Sequence, residues 1–293
     1  MKLRNVIAAI GFSAVLPVHA GITGLDVMNT TDNAATLLSN ALVGSGVSIV
    51  DGSQTFQGLL GDDATGQSAL FESTSFTNGG NTVSIGAGAF LTTGRANLAD
   101  SNTSESFGET TNSGSDTDLN ALLVVNGAPA TNTNDVNFIQ FDFTVAAGFN
   151  AISLDFIFGS EEFPDQGVTD VLGIFVDGVN YAFFPDSSLI SFVTGVNAGN
   201  FNDNTQGTYD LEYDGFSNLL NLVGLLDASL TTHTIKIAVA DTSDSIYDSG
   251  VWLSNMHAIT ANTGGVNNAI PAPGTLALFG LGLFAALRRK KQR

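Results

Sequence analysis

Residues 154–181, LDFIFGSEEFPDQGVTDVLGIFVDGVNY, set two apolar runs (154–158 and 171–176) on either side of an acidic loop. The runs are short, rich in Phe, Ile, Leu and Val, and bounded by turn residues, the pattern of buried strands. The loop carries Glu161, Glu162 and Asp165, with Asp170 at its exit. Carboxylates crowded between two buried strands repel one another unless something positive sits among them.

The rest of the chain offers little positive charge. Of nine Lys and Arg, Lys2 and Arg4 lie at one end and five lie in the last six residues, leaving only Arg95 and Lys236 inside. All 28 Asp and Glu fall between those two basic ends. A body this acidic repels nucleic acid and anionic lipid and attracts cations; the plainer account of its surface charge is solubility. With no cysteine, disulfide staples, thiol redox chemistry and zinc–thiolate sites are excluded. Abundant Gly, Ser, Thr, Asn and Asp favour strands joined by turns over long helices.

The two ends read as export and anchoring signals. Residues 1–20 have basic Lys2 and Arg4, an apolar run over 6–16 and a small-residue exit, Val18-His19-Ala20, the layout of a cleaved secretory signal peptide. An uncleaved membrane anchor is the rival reading, and the short apolar run argues against it. Residues 270–293 hold Pro271-Ala272-Pro273, a 13-residue apolar run over 275–287 and the tail RRKKQR. That run is short for a span of about 20 residues, but apolar neighbours from Ile270 extend it. Read as a transmembrane helix, it keeps its basic tail on the cytoplasmic side and tethers the body outside.

Between the ends, the pattern predicts a short helix over 33–42 capped by Thr31 or Asp32, a second over 116–125 and a third near 218–226. Strands are expected at 25–30, 47–50, 69–76, 82–91, 171–176, 179–184, 232–241 and 250–261. A hairpin is expected from alternating apolar residues on both sides of Ala147-Gly148, broken only by Ile157. Asp177-Gly178 is a good two-residue hairpin turn. Residues 96–117 read as a long polar surface loop, residues 185–231 as largely irregular and 262–269 as a linker. The fold class expected is mainly β: a single antiparallel β-sandwich of jelly-roll type over 21–261 with a few short helices.

A second acidic loop, DTSDSIYDSG, carries Asp241, Asp244 and Asp248 between the last two strands. Together with Glu161, Glu162, Asp165 and Asp170 these residues form the hard-oxygen supply that calcium prefers. The spacing is not that of an EF-hand, and Asx-turn chemistry is the alternative. If an ion binds, both loops are expected to meet at one end of the sandwich and share it. Lys236 either pairs with these acids or points outward from its strand.

Two resemblances follow from these residues. The Pro-x-Pro motif at Pro271 and Pro273, the apolar run and the basic tail resemble the PEP-CTERM sorting signals of Gram-negative surface and exopolysaccharide-associated proteins, with Ala272 where Glu is usual. That resemblance implies an exosortase-type sorting enzyme as partner. The runs around Ser160-Glu161-Glu162-Phe163, Thr169-Asp170, Ile235-Lys236, Asp241 and Asp248-Ser249-Gly250-Val251, with AGAFLTTGRA upstream, resemble the choice-of-anchor L domain of bacterial surface proteins.

Enzyme signatures are weak. Paired carboxylates also serve glycosidases, but a chain with 28 acids contains many pairs by chance. Ser160 lacks the nucleophile elbow, and His233 and His257 lie in no recognisable motif. Tyr181, Tyr209, Tyr213, Tyr247 and Trp252 are candidates to stack on sugars, with Trp252 equally a core residue. The expectation is an exported, surface-anchored, non-enzymatic protein of the extracellular matrix, adhesion or biofilm, with exopolysaccharide among its possible partners and Ca2+ as a structural ion. A carbohydrate-binding module, or a glycoside hydrolase, is the alternative.

Overall fold

A computed structural model describes residue 22 and residues 24–268, apart from 168, 169, 194 and 195. The signal peptide and the sorting signal therefore lie outside the described residues, as does the transmembrane helix expected in 270–293. Among the described residues no helix is long and apolar enough to cross a membrane.

The described residues form antiparallel sheets and two α-helices. The strands are β1 (Asp26–Val27), β2 (Val47–Ile49), β3 (Thr55–Gln57), β4 (Ser68–Phe71), β5 (Thr74–Asn78), β6 (Asn81–Ile85), β7 (Gly88–Thr92), β8 (Thr133–Val145), β9 (Ala151–Ser160), β10 (Val171–Val176), β11 (Val179–Asn180), β12 (Phe201–Asp203), β13 (Gly215–Ser217), β14 (Leu220–Leu225), β15 (His233–Thr242), β16 (Ser249–Ile259) and β17 (Gly265–Asn268). The larger sheet runs β1-β4-β7-β16-β9-β13-β12, with β14 also on β9 and β17 outside it. The smaller runs β11-β10-β15-β8-β2, with β3 also on β8, and β5–β6 form a separate hairpin.

One apolar core joins the two sheets. Ile139, Phe141 and Phe143 of β8 and Ile235, Ile237 and Val239 of β15 meet Ile152, Leu154, Phe156 and Phe158 of β9 in a single buried cluster. The expected hairpin between the runs around Ala147-Gly148 is therefore a crossing. Strand β8 belongs to the smaller sheet and β9 to the larger, and their alternating residues face each other across the core. Asp177-Gly178 does form the tight β10–β11 turn, with both residues at positive φ (49° and 79°).

Both outer faces are partly covered. Ile157, which breaks the alternation of β9, turns to the far side of the larger sheet into a second core with Trp252, Phe90, Phe76, Tyr213 and Phe216. On the smaller sheet, helix α2 (Thr117–Val125) lays Leu119, Leu122 and Leu123 over Phe175, Ala238 and Ala240. Its N-cap is Asp116, whose Oδ1 accepts from the amides of Asp118 (3.0 Å) and Leu119 (2.9 Å); an acidic side chain there also suits the helix dipole. Helix α1 (Ala34–Leu42) is capped by Asn33 rather than Thr31 or Asp32.

Other expectations are corrected by pairing. The segment near 218–226 is strand β14, whose Leu220 and Leu222 enter the core at every second residue; a short apolar run does not distinguish helix from strand by itself. The stretches 69–76 and 82–91 each divide into two strands, 179–184 shrinks to β11, and the linker over 262–269 becomes β17, paired with β14. Residues 96–117 are no free surface loop: up to the start of α2 the chain forms a strap across one end of the molecule, with Ala96, Leu98 and Phe107 buried.

Candidate metal centre

The acidic loops are both crossings between the sheets. The chain leaves the larger sheet at the end of β9 and enters the smaller at β10, then returns from β15 to β16. Pairing of Ser160 with Ser249 and of Val171 with Ala240 puts both crossings at the same end of the molecule. The amide of Glu161 donates to the carbonyl of Asp248 at 3.0 Å, tying the loops together.

Five of the seven expected acids are drawn inside. Glu161, Glu162, Asp170, Asp241 and Asp248 are each at most 1% exposed. Asp244 is half-buried at the rim, and Asp165 points to solvent. Lys236 joins neither loop; it does turn to the outer face of its strand, but under the start of α2 rather than into solvent. It pairs with Asp116 and Asp118 at the start of α2, one strand face away from the cluster.

The buried acids differ in how they are satisfied. Glu161 accepts from the amides of Phe107 (2.9 Å) and Asp214 (3.2 Å), and Asp248 accepts from the amide of Glu109 at 3.0 and 3.2 Å. Asp170 Oδ2 and both oxygens of Asp241 are buried with no hydrogen-bond donor. The hydroxyls of Ser249 and Thr93 lie close enough to favour their charged forms, yet Ser249 Oγ makes no hydrogen bond and Thr93 Oγ1 instead accepts from the Ser249 amide at 3.0 Å. Most buried polar atoms in folded proteins have a partner, so three orphan carboxylate oxygens at one place require a cause.

Burial and mutual repulsion hold these groups toward their protonated forms. Burial pushes the Glu161 carboxyl up to about 8 against the pull of the Phe107 amide, with Asp214 adding to the rise. Glu162 is raised to about 9 by burial and then by the charges of Asp244, Asp241 and Glu161. Asp170 and Asp241 are raised well above the usual range, first by burial and next by the charge of Glu162 on Asp170 and of Asp170 on Asp241. Asp248 rises to about 7, again through burial. Arg95 is the nearest cation, but it is engaged with Glu109 at 2.8 Å and stacked over Phe107.

The strap was not foreseen as part of this site. It supplies the amides that hold Glu161 and Asp248, and those of Thr111 and Asn112 donate to Asp135 at 2.9 and 2.7 Å. Thr103 binds Glu212 through both its amide and its hydroxyl. Asp135, Glu212 and Asp214 are buried acids too. Asp135 stands alone in sequence, whereas Glu212 and Asp214 belong to an alternating acidic run, Asp210-Leu211-Glu212-Tyr213-Asp214, a signal that could have pointed to them. Among the described residues, no group of three or more His, Asp or Glu is set so that it could hold a metal ion as it stands.

The family model of the choice-of-anchor L domain matches residues 26–257, a span that contains the smaller sheet, the strap, the acidic cluster and the larger sheet except β17 and the end of β16. The chain belongs to the choice-of-anchor L family. A second match, to the PEP-CTERM protein-sorting motif, covers residues 269–291. The choice-of-anchor L protein is therefore an exported protein sorted to the cell surface, and its motif implies processing by an exosortase-type enzyme. The domain is a surface-anchor domain and not a known enzyme family. No curated protein matches the chain, and no solved structure matches it.

Proposed function

We propose that this choice-of-anchor L protein is a non-enzymatic module of the extracellular matrix or adhesive surface of a Gram-negative bacterium, whose acidic end is locked by a calcium ion. In this reading residues 1–20 are a signal peptide, 21–261 a jelly-roll-like β-sandwich, 262–269 the connection and 270–293 the sorting signal and membrane anchor. The observation that carries the ion is the set of orphan oxygens on Asp170 and Asp241, buried beside Glu162. Calcium accepts carboxylates together with backbone carbonyls and water, so these acids need not supply the whole shell. Asp248 and Asp244 stand next to them, Glu161 is already held by two amides, and Asp165 is too exposed to take part.

The burial of the acids also weighs against hydrolysis, because a sugar chain cannot reach carboxylates that solvent does not reach. The aromatic platform loses support for the same reason: Tyr209, Tyr213 and Trp252 are core residues, leaving Tyr181 and Tyr247 half-buried. Exopolysaccharide remains a partner of the surface-display reading rather than a substrate. The deciding experiment is thermal unfolding of residues 21–268 in chelator and in millimolar calcium. A ligand of the folded form raises the midpoint by mass action; an unchanged midpoint rejects the ion.

A further inference from the structure

Lys236 lies on the outer face of β15, away from the proposed ion, held against two carboxylates at the start of α2. The side chain is 9% exposed and that of Asp116 is 4% exposed. The Lys236 Nζ stands 2.5 Å from Asp116 Oδ2 and 2.6 Å from Asp118 Oδ2. The Phe138 ring covers the nitrogen at 4.8 Å from its centroid. Asp116 is fixed by its own amide, which donates to Thr133 Oγ1 at 2.9 Å. Its second oxygen, Oδ1, rests in the amides of Asp118 and Leu119 at the start of α2.

We propose that Lys236 and Asp116 join in an intramolecular amide bond, formed by the folded protein itself with Asp118 as the proton carrier. For the reaction one proton moves within the buried pair, from Nζ to Asp116, leaving an amine and a carboxylic acid. Nζ then attacks Cγ of Asp116. The negative charge that develops goes to Oδ1, where two backbone amides already point, the arrangement that stabilises acyl-transfer intermediates. Asp118 takes a proton from Nζ and passes it to the departing Oδ2. The C–N bond forms, the Cγ–Oδ2 bond breaks, one water leaves, and Asp118 returns to its starting state. No oxidant or cofactor enters. The pair is held in contact by the fold, so effective concentration replaces an activated acyl group. The Asp118 side chain is 56% exposed and lines a half-open groove of about 330 Å3 with Leu122, Phe175 and Gln140, which gives the released water an exit.

The link spans 120 residues of sequence and fastens the cap of α2 to the middle of the smaller sheet. In a chain with no cysteine it would do the work of a disulfide, restricting the unfolded chain.

Between residues 5 and 287 trypsin can cut only after Arg95 and Lys236, and it does not cut after an acylated lysine. The test is intact mass and trypsin digestion of the denatured, exported full chain. Expected are a mass lower by one water, an uncut bond after Lys236, and a tandem spectrum joining residue 116 to residue 236. Lys236→Arg, which keeps the charge, restores the full mass and loses on the order of 10 °C in unfolding midpoint. Asp118→Asn folds but keeps a free Lys236 that trypsin cuts. Full mass with ready cutting after Lys236 in the parent protein overturns the proposal and leaves a buried ion pair. A water loss that persists in Lys236→Arg overturns it too, by placing the dehydration elsewhere.

Discussion

Without the proposed calcium ion, the pH response of this protein should run opposite to the usual one. Glu161 is protonated up to about pH 8 in the folded state and only up to its ordinary value of 4.5 when unfolded. Between those values the folded chain binds more protons than the unfolded one, so stability is present below about 4.5 and is lost as pH rises. One pKa unit is about 1.4 kcal/mol. Glu161 therefore contributes a destabilisation of about 3 kcal/mol at pH 7, relative to acid conditions. Asp248, raised from 3.8 to about 7, adds about 4 kcal/mol by the same route. Together they approach the net stability of an ordinary domain, roughly 5–15 kcal/mol, and Glu162, Asp170 and Asp241 pull in the same direction. A bound cation favours the ionised forms and displaces their protons, so its affinity should climb with pH. The assay is urea unfolding at about pH 5.5 and at pH 8, each in chelator and in millimolar calcium. In chelator the midpoint should fall from acid to alkaline pH by the equivalent of about 3 kcal/mol or more. Calcium should recover most of that loss at pH 8 and do little at pH 5.5. A chelated protein that gains stability with rising pH, or a calcium effect of equal size at both pH values, would refute the reasoning.

The other predictions separate the site from the scaffold. Asp241→Asn should abolish the calcium response while making the chelated protein more stable at pH 8, since it deletes an orphan charge; Asp165→Asn, on the exposed side of the loop, should change neither by more than about 0.5 kcal/mol in urea melts. Gly94→Ala should weaken calcium binding measured by titration calorimetry, because a Cβ there runs into the Asp248 carboxylate; normal binding would show that Asp248 need not hold its place. Gly88→Ala should lower stability by ~3 kcal/mol or more, since the new methyl meets the Leu253 carbonyl across the β7–β16 ladder. Trp252→Ala should cost about 3–5 kcal/mol by urea unfolding, for its ring stacks on Phe90 at 4.5 Å and meets the edge of Phe76 at 5.0 Å.

Much of the fold was legible where local rules suffice. Alternation marked β8 and β9, Asp177-Gly178 marked its turn, and Leu119, Leu122 and Leu123 marked α2. The reading failed where pairing partners decide. The run of β14 is equally apolar as helix or strand, and only its place against β9 selects the strand. The crossing between β8 and β9 looks like a hairpin in sequence because a hairpin and a change of sheet need the same turn residues. Trp252 read equally as core or as a sugar platform, and Tyr209 and Tyr213 gave no sign of burial, since the cover over the larger sheet comes from β5–β6 and from residues of the 185–231 stretch that seemed irregular.

For the site, the chain itself determines which acids exist, that almost no internal cation answers them, and that two acidic loops each follow a strand. Composition and short motifs are enough for that, as they are for export and sorting. Tertiary structure alone decides that Glu162, Asp170 and Asp241 share one buried end, that Asp165 does not, and that Lys236 serves Asp116 and Asp118 instead. The reason is physical: a carboxylate's environment depends on what folds over it, and here strap and sheet crossings come from segments far apart in sequence, 54 residues between Phe107 and Glu161 and 139 between Glu109 and Asp248.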